Sequence, residues 1–237
     1  MKNREVERKW VLGGPSFMCK SAVEQLVDLC SSLRAEYIHQ VILAVDDNKM
    51  LRVRCYVDSD GVRRYDLTLK IADKITPEMG KALDRLEFNW DLSESDGSKL
   101  FEALQSGCGE MFGSLKKLRV YIDKNTTIDI FQGDLEGIVM IEKEYDVDPD
   151  EEGVEYANEI TEESTYDMIT GLRTSLDAKG IPTSVSYQAT DLYSFLLSMY
   201  NQGRIREVTH DPIYVNQNLC RSVIRECFGG QKVIVKR

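Results

Sequence analysis

The first charged side chains of the sequence alternate along a segment that reads as a β-strand. Alternate side chains of a strand point to the same face, so Glu5, Glu7 and Lys9 share one face of the run that ends at Trp10. Two carboxylates beside an ammonium group suit a divalent cation bound next to an anion such as phosphate. A solvated edge strand, with its charges simply in water, is the alternative for this segment taken alone.

The same alternation returns along the chain, and each later segment also places ionised groups on its polar face. The segments are 51–57, 65–71, 85–92, 116–123, 127–131 and 138–145. Strands of this number and spacing, joined by short turns such as 58–61, predict an antiparallel barrel. If the barrel closes and helices cover its apolar side from outside, the charged faces line the interior.

The predicted lining carries both signs of charge. Its carboxylates are Glu5, Glu7, Glu87, Asp129, Glu142 and Glu144, and its cations are Lys9, Arg52, Arg54, Lys70, Arg85, Lys117 and Arg119. An internal salt-bridge network is one explanation. Buried ion pairs rarely add stability, however, because the cost of desolvation offsets the Coulomb attraction. The lining therefore favours a site that holds a polyanion on its basic groups and divalent cations on its acidic groups.

The composition limits the class of partner. The chain has 237 residues, 42% of them hydrophobic, and a net charge of −10, which fits one large domain with a core or two small ones. Such an acidic balance argues against a nucleic-acid polymer as partner. No apolar run approaches the roughly 18 residues of a membrane span. The scattered cysteines and the absence of a signal peptide favour reduced thiols in a cytoplasmic protein over a disulfide framework.

Helical periodicity marks the segments that would cover the barrel. Apolar residues recur at helical spacing over 21–36, with Ser21 as the predicted N-cap. A second helix is predicted from 98 to 108. After an acidic stretch at 146–163, which is typical of a solvated loop, two further helices are predicted. They are Thr165–Ala178 and Ala189–Tyr200, and the latter is apolar on most of its circumference, which predicts that it is buried.

The ordered series of charged motifs resembles a known family. Glu5-Val6-Glu7-Arg8-Lys9 is similar to the ExExK signature of the CYTH superfamily, also called the triphosphate tunnel metalloenzymes. The later motifs resemble, in family order, its RxR at 52–54, its strand ending in lysine at 67–70, its RxE at 85–87, its KxR at 117–119, its DxFxG at 129–133 and its ExE at 142–144. Residues 208–219 resemble the tail of the compact bacterial members.

The resemblance implies an α+β fold, in which an eight-stranded antiparallel closed β-barrel forms a triphosphate tunnel with flanking helices. It also implies a division of the chain. Residues 1–145 and 207–237 would form the tunnel domain, and residues 146–206 would form an acidic loop followed by a helical insertion. The insertion is expected on a tunnel mouth or on another subunit, either as plain cover for the core or as a lid that affects specificity.

The resemblance further implies a metal-dependent hydrolase of triphosphate substrates, foremost inorganic tripolyphosphate, with Mg²⁺ or Mn²⁺ as cofactor and a metal-activated water as nucleophile. The implied substrate-binding residues are Lys9, Arg52, Arg54, Lys70, Arg85, Lys117 and Arg119. The implied metal ligands are Glu5, Glu7, Asp129, Glu142 and Glu144, with Glu87 as a further candidate. The implied catalytic residues are Lys9, Glu142 and Glu144.

Several alternatives stay open at the level of sequence. A class IV-type adenylate cyclase would use the same tunnel, and a nucleoside or thiamine triphosphatase would differ only in substrate. Asn89 and Thr127 stand where many family members carry acids, which leaves room for a binding module without turnover. His39 is a candidate general base, with packing as its alternative role. Assembly as a homodimer is also open.

Overall fold

Eight antiparallel strands close into a barrel in the computed structural model, which describes residues 4–13, 17–44, 49–72, 83–107, 112–145, 164–181, 183, 191–214, 216–220, 222–226 and 232–236. The strands are β1 (Arg4–Leu12), β2 (Ala35–Ala44), β3 (Lys49–Val57), β4 (Arg63–Ala72), β5 (Leu83–Leu92), β6 (Phe112–Tyr121), β7 (Thr126–Gln132) and β8 (Val139–Tyr145). Their order around the barrel is β1-β5-β4-β3-β2-β6-β7-β8, and β8 pairs with β1 to close it. The predicted antiparallel barrel is confirmed.

The register of the strand pairs decides which side chains share the interior. Glu5 lies opposite Arg85 of β5, Glu7 lies opposite Glu144 of β8, and Lys9 lies opposite Glu142. Directly opposed residues in an antiparallel pair project to the same face of a sheet. The charged faces of neighbouring strands therefore coincide around the whole barrel, as the alternation in the sequence predicts.

The outer side of the barrel wall is apolar, and helices cover it. Trp10 of β1 is fully buried and shares one core cluster with Leu176 and Leu196 of two late helices. The late helices thus pack on the outer wall, which matches plain cover of the core. The four covering helices are α1 (Lys20–Leu29), α2 (Glu94–Gly107), α3 (Thr165–Ala178) and α4 (Leu192–Asn201). The proposed division of the chain into a tunnel domain and an insertion stays a prediction.

The first helix differs from its prediction at both ends. It ends at Leu29 rather than at residue 36, because Leu33 is buried in a turn that leads into β2 and so only mimics helical spacing. The predicted N-cap is also wrong. Cys19 precedes the helix and makes no capping hydrogen bond with its side chain, whereas Ser21 lies inside the first turn.

The later helices agree with the sequence pattern where the structure describes them. Helix α3 has the predicted bounds, and Ser164 caps it in a capping box with Asp167. Helix α2 begins at Glu94, earlier than predicted, and the predicted end at Cys108 lies outside the described residues. The acidic stretch 146–163 also lies outside them.

Apolar side chains fill one end of the barrel interior. Val11, Ile42, Leu115, Phe131 and Met140 share the inward face with the charged residues, and all five are nearly or fully buried in a single cluster. We call these five residues the apolar plug. The segment after β7 and the C-terminal part of the chain cover the apolar plug with Leu135, Ile138, Val208, Tyr214, Leu219 and Cys220. Charged side chains consequently occupy only the other part of the interior.

A short strand ties the C-terminal part of the chain to β1. Strand β9 (Ile205–Glu207) pairs with the second half of β1, on the edge where β5 pairs with the first half. Arg8 projects outward from β1 and donates two hydrogen bonds to Glu207, at 3.0 and 2.6 Å. The Thr209 hydroxyl donates to Glu207 at 2.7 Å and accepts from the Lys9 backbone N–H at 3.1 Å. These contacts fix the start of the segment that covers the apolar plug.

Two expectations from composition can be compared with the structure. Among the described residues, Cys19, Cys30, Cys55 and Cys220 are free thiols. In the part of the chain that the structure describes, no helix has both the length and the apolar character needed to cross a membrane.

Replacing Glu207 tests the tie between β9 and β1. The substitution Glu207→Ala removes a bidentate carboxylate from the buried Arg8 guanidinium, so we expect a loss of about 2 kcal/mol in the free energy of unfolding. Urea denaturation measures this loss. The matched control is Glu24→Ala, because Glu24 makes an exposed pair with Lys20 at 4.0 Å; its effect should stay within about 0.5 kcal/mol. Equal effects of the two substitutions would contradict the assignment.

Candidate functional site

The acidic part of the interior lies where β1 meets β5 and β8. The Lys9 ammonium group donates to Glu142 at 3.0 Å and lies 3.2 Å from Glu7. The Arg85 guanidinium donates to Glu5 at 3.0 Å and also pairs with Glu7. Three carboxylates and two cations from three strands thus converge inside the barrel, as their alternation predicts.

Lys70 of β4 extends this cluster along the barrel wall. Its ammonium group lies 2.6 Å from both Glu5 oxygens and 2.7 Å from Glu87. Glu87 accepts a hydrogen bond from Asn89 at 2.9 Å and lies 3.7 Å from Arg52. Glu87 therefore lies between Lys70 of the acidic cluster and Arg52 of the basic wall. Asn89, where relatives were expected to carry an acid, is a neutral hydrogen-bond donor to Glu87.

The basic wall of the interior is centred on Asp129, which is completely buried. Arg119 donates to both carboxylate oxygens of Asp129 at 2.7 Å and also pairs with Glu142. Lys117 pairs with the same Asp129 carboxylate. Asp129, a predicted metal ligand, is thus placed as the counter-ion that holds two predicted phosphate-binding cations in position.

Asp66 plays the corresponding role for Arg54, and the sequence-based reasoning did not include it among the site residues. Arg54 donates to Asp66 in a bidentate arrangement with distances of 2.6 and 3.0 Å, and the Tyr56 hydroxyl donates to the same carboxylate at 2.6 Å. The available signal was its place on the polar face of β4, two positions from Thr68 and four from Lys70.

Glu36 is a second interior carboxylate that was missed. It is 4% exposed and accepts hydrogen bonds from Arg34 at 2.7 Å, Arg64 at 2.6 Å and the Tyr121 hydroxyl at 2.7 Å. Both arginines are at least half exposed, so this group marks the rim of the charged part of the barrel. Strand β2 begins at Ala35, which extends its inward face to Glu36.

Negative charge is in excess at Glu144. Glu144 is exposed at the end of β8, and no ion pair or hydrogen bond of its side chain is found among the described residues. Partial desolvation of its carboxyl group and the charges of Glu5 and Glu7 raise its pKa to about 7. Burial also disfavours the charged form of Glu142, but Lys9 and other cations outweigh it and hold the pKa of Glu142 well below its usual value. The acidic cluster therefore lacks a cation at Glu144.

Positive charge is in excess on the opposite side of the interior. Burial, followed by the neighbouring charge of Arg54, lowers the pKa of Arg52 to about 10. Burial and the charge of Arg119 lower the pKa of Lys117 to about 8. The Arg52 guanidinium is 4% exposed, and its Nε has no hydrogen-bond partner among the described residues. Arg52 has Glu87 at 3.7 Å and Lys117 shares Asp129 with Arg119, so these two cations are only partly neutralised.

A divalent cation fits the acidic cluster by charge and donor type. Among the residues described, no three His, Cys, Asp or Glu side chains are already gathered as a metal cluster, and Lys9 and Arg85 stand between the carboxylates. Carboxylate oxygens are nevertheless the donors that Mg²⁺ and Mn²⁺ prefer. The excess negative charge around Glu144 is the feature that such a cation would neutralise.

His39 lies outside the interior. Its ring packs edge-on against Phe101 of α2, with 4.8 Å between the ring centroids, on the outer side of the barrel. Burial, followed by the charge of Lys116, lowers the pKa of His39 to about 4. His39 therefore has the packing role that was its alternative in the sequence, and it is not placed as a general base.

Comparison with known proteins gave similarities of fold only. No protein-family model and no curated protein matches the chain. Solved structures similar to it include the inorganic triphosphatase NE1496, which is 17% identical over 91% of this chain and 93% of its own, with a TM-score of 0.37.

Two further similar structures are cyclase candidates. One, from Hippeastrum, is described as having a dominant triphosphatase activity and is 17% identical over 84% of this chain and 96% of its own, with a TM-score of 0.40. The other, from Vibrio parahaemolyticus, is 10% identical over 84% and 99%, with a TM-score of 0.37. Scores this low support no conclusion about function. The eight-stranded closed antiparallel barrel implied by the sequence resemblance is confirmed by the strand pairing described above.

The excess charge at Glu144 predicts a pH dependence of stability. The folded protein keeps the Glu144 proton up to about pH 7, whereas the unfolded chain releases it near 4.5. The folded state thus binds more protons in this window, so the metal-free protein should lose stability as the pH rises through it. Solvent screening reduces the size of the effect, because the Glu144 side chain is exposed at the end of β8.

Thermal unfolding of the wild type and of Glu144→Gln between pH 5 and 8 measures this contribution. The Gln variant should gain stability relative to wild type as the pH rises, and added Mg²⁺ should stabilise the wild type more than the variant. The comparison between variants removes the contribution of His39, whose lowered pKa acts in the opposite direction. If the Tm of the wild type and the Tm of Glu144→Gln changed in parallel with pH, Glu144 would carry no excess charge. Glu136→Gln, at an exposed turn, is the control.

Proposed function

We propose that this protein is a metal-dependent hydrolase of triphosphate substrates, with inorganic tripolyphosphate as its foremost substrate. The observation that carries the proposal is the paired charge imbalance of the interior. Glu144 has no ion-pair partner among the described residues, whereas Arg52 has only Glu87 at 3.7 Å and Lys117 shares the Asp129 carboxylate with Arg119. A metal complex of a triphosphate supplies both charges at once.

The basic residues would bind the phosphate chain. Arg52 and Lys117 have the least compensated charges, so they would gain most from a phosphate oxygen. Arg54 and Arg119 are held by Asp66 and Asp129, which fix the direction of each guanidinium while leaving further N–H donors for the substrate. Electrostatic stabilisation by such fixed donors is the main contribution that a protein makes to phosphoryl transfer.

The acidic residues Glu5, Glu7, Glu142 and Glu144 would hold Mg²⁺ or Mn²⁺. When bound, the metal would neutralise charge on the phosphates and activate the water that attacks them. Lys9 lies between Glu7 and Glu142, and although burial favours its neutral form, these two carboxylates raise its pKa and keep its ammonium group charged. The Lys9 Nζ would thus donate a hydrogen bond to a phosphate oxygen throughout the reaction.

The shape of the interior favours an unsubstituted polyphosphate. Apolar side chains fill one end of the barrel, and the charged rim around Glu36 lies at the other part of the interior. A chain of phosphates can place all of its groups against charged residues in such a site. A nucleoside or thiamine group would have to stay at the rim, next to the exposed Arg34 and Arg64.

Product analysis tests the proposed function and separates it from the alternatives. Phosphate release is measured with tripolyphosphate, ATP and thiamine triphosphate in Mg²⁺, in Mn²⁺ and in EDTA, and cyclic AMP is measured in the ATP sample. We expect metal-dependent phosphate release that is fastest with tripolyphosphate. Cyclic AMP with pyrophosphate would indicate a cyclase, and binding without either product would indicate a binding module.

Matched variants link the activity to the interior. Glu142→Gln and Glu144→Gln remove one carboxylate charge each without changing side-chain size, so kcat should fall at least about a hundredfold while the barrel stays folded by circular dichroism. Glu136→Gln lies at an exposed turn and should leave kcat unchanged. Normal turnover in both interior variants would rule out their assignment to the metal.

Arg54→Ala should weaken substrate binding more than it slows turnover. The substitution removes a charge-assisted contact made in the ground state and in the transition state alike, so KM should rise about 10- to 100-fold with a smaller change in kcat. Steady-state kinetics with tripolyphosphate measure both constants. Arg63→Ala is the matched control, since Arg63 lies on the exposed outer face of the adjacent strand. An unchanged KM in Arg54→Ala would argue against the role of Arg54.

A further inference from the structure

Gln40 of β2 is a fully buried polar residue whose side chain is left without a partner by the residues that the structure describes. It is 0% exposed, and neither its Nε2 nor its Oε1 makes a hydrogen bond to any described residue. A buried amide without partners destabilises a fold, because it loses its hydrogen bonds to water and gains nothing in return. A residue kept in this state therefore points to a ligand that supplies the missing bonds.

The register places Gln40 at the boundary between the charged part of the interior and the apolar plug. On β3 it lies opposite Arg54, whose side chain belongs to the charged wall. On β6 it lies opposite Leu115, which belongs to the apolar plug. Directly opposed residues share a face, so the carboxamide projects into the interior at the depth where its charged part ends.

A second unfilled donor lies next to Gln40. Arg52 is opposite Ile42, the next inward-facing residue of β2, and its buried Nε has no hydrogen-bond partner within the described part of the chain. Its Nη2 donates to the Thr68 hydroxyl at 3.1 Å, which fixes the orientation of the guanidinium. Adjacent strands thus present an amide N–H₂ and a guanidinium N–H that are both available to an acceptor.

We propose that Gln40 and Arg52 form the innermost phosphate subsite of the tunnel and bind the unsubstituted terminal phosphate of a triphosphate. The proposal rests on the proposed function and adds the direction in which the substrate enters. A terminal phosphate has three oxygens that accept hydrogen bonds from both donors. The apolar plug lies behind Gln40, and its described residues offer no polar partner to a longer phosphate chain. The unsubstituted terminal phosphate therefore enters the barrel first, and any organic group stays toward the rim.

The substitution Gln40→Leu tests this subsite, because it predicts two effects of opposite sign. Without ligand the variant should have a higher Tm than wild type, since an unpaired amide is replaced by an apolar side chain of similar size. Its Kd for inorganic tripolyphosphate should rise about 10- to 100-fold, the effect of a lost hydrogen bond to a charged group. ATP binding should weaken by the same factor, because the leading phosphate is common to both ligands.

Isothermal titration calorimetry in Mg²⁺ with imido-linked, non-hydrolysable analogues of tripolyphosphate and ATP measures binding apart from turnover, and differential scanning calorimetry measures Tm. Gln40→Met provides a second apolar variant of similar size. Gln132→Leu is the matched control, since Gln132 lies on the outer side of β7 opposite the exposed Lys116; it should change neither tripolyphosphate nor ATP binding.

A lower Tm in both Gln40 variants would show that the amide has a structural partner and would overturn the proposal. Unchanged affinity for tripolyphosphate would also overturn it. A wild type that binds tripolyphosphate but does not hydrolyse it would refute the proposed function alone, because the comparison of affinities would still decide the role of Gln40. A wild type that does not bind tripolyphosphate would overturn both.

Discussion

The charges inside the barrel are incompletely neutralised, and this constraint determines what kind of ligand the interior can hold. Closing eight strands forces their charged faces together in a space where desolvation makes every unpaired charge costly. Most groups are compensated locally, as Asp129 is by Lys117 and Arg119. Among the described residues Glu144 has no ion-pair partner and Arg52 has only Glu87 at 3.7 Å, so compensation is weakest at these two groups of opposite sign. The interior is thus arranged for a ligand that brings both a cation and a polyanion.

The apolar parts of the fold hold these charges together. Helices α1, α3 and α4 bury the outer wall around Trp10, and the apolar plug fills one end of the interior. Burial of apolar surface on this scale offsets the cost of confining ionised side chains. The segment that follows β9 covers the apolar plug and is attached to β1 through the pair of Arg8 with Glu207. The same strand therefore contributes to the charged wall and holds the segment that closes the apolar end.

The sequence predicted the strands and the inward charged faces because alternation is a local property of each segment. It could not predict which charges pair, because the contact of Arg54 with Asp66 depends on the register between strands. The apolar plug could not be predicted from the sequence either, because the residue type of Val11 does not show whether its side chain points into the barrel or out of it. The orphaned amide of Gln40 became visible only when its neighbours were placed.

Crystallography with Mn²⁺ and tripolyphosphate tests the central claim most directly, because anomalous scattering locates the metal without reference to the fold. We expect an Mn²⁺ peak inside the barrel beside Glu144, with phosphate density against Arg52 and Lys117. Metal and phosphate bound only on the outer surface, with the interior ion pairs unchanged, would contradict it.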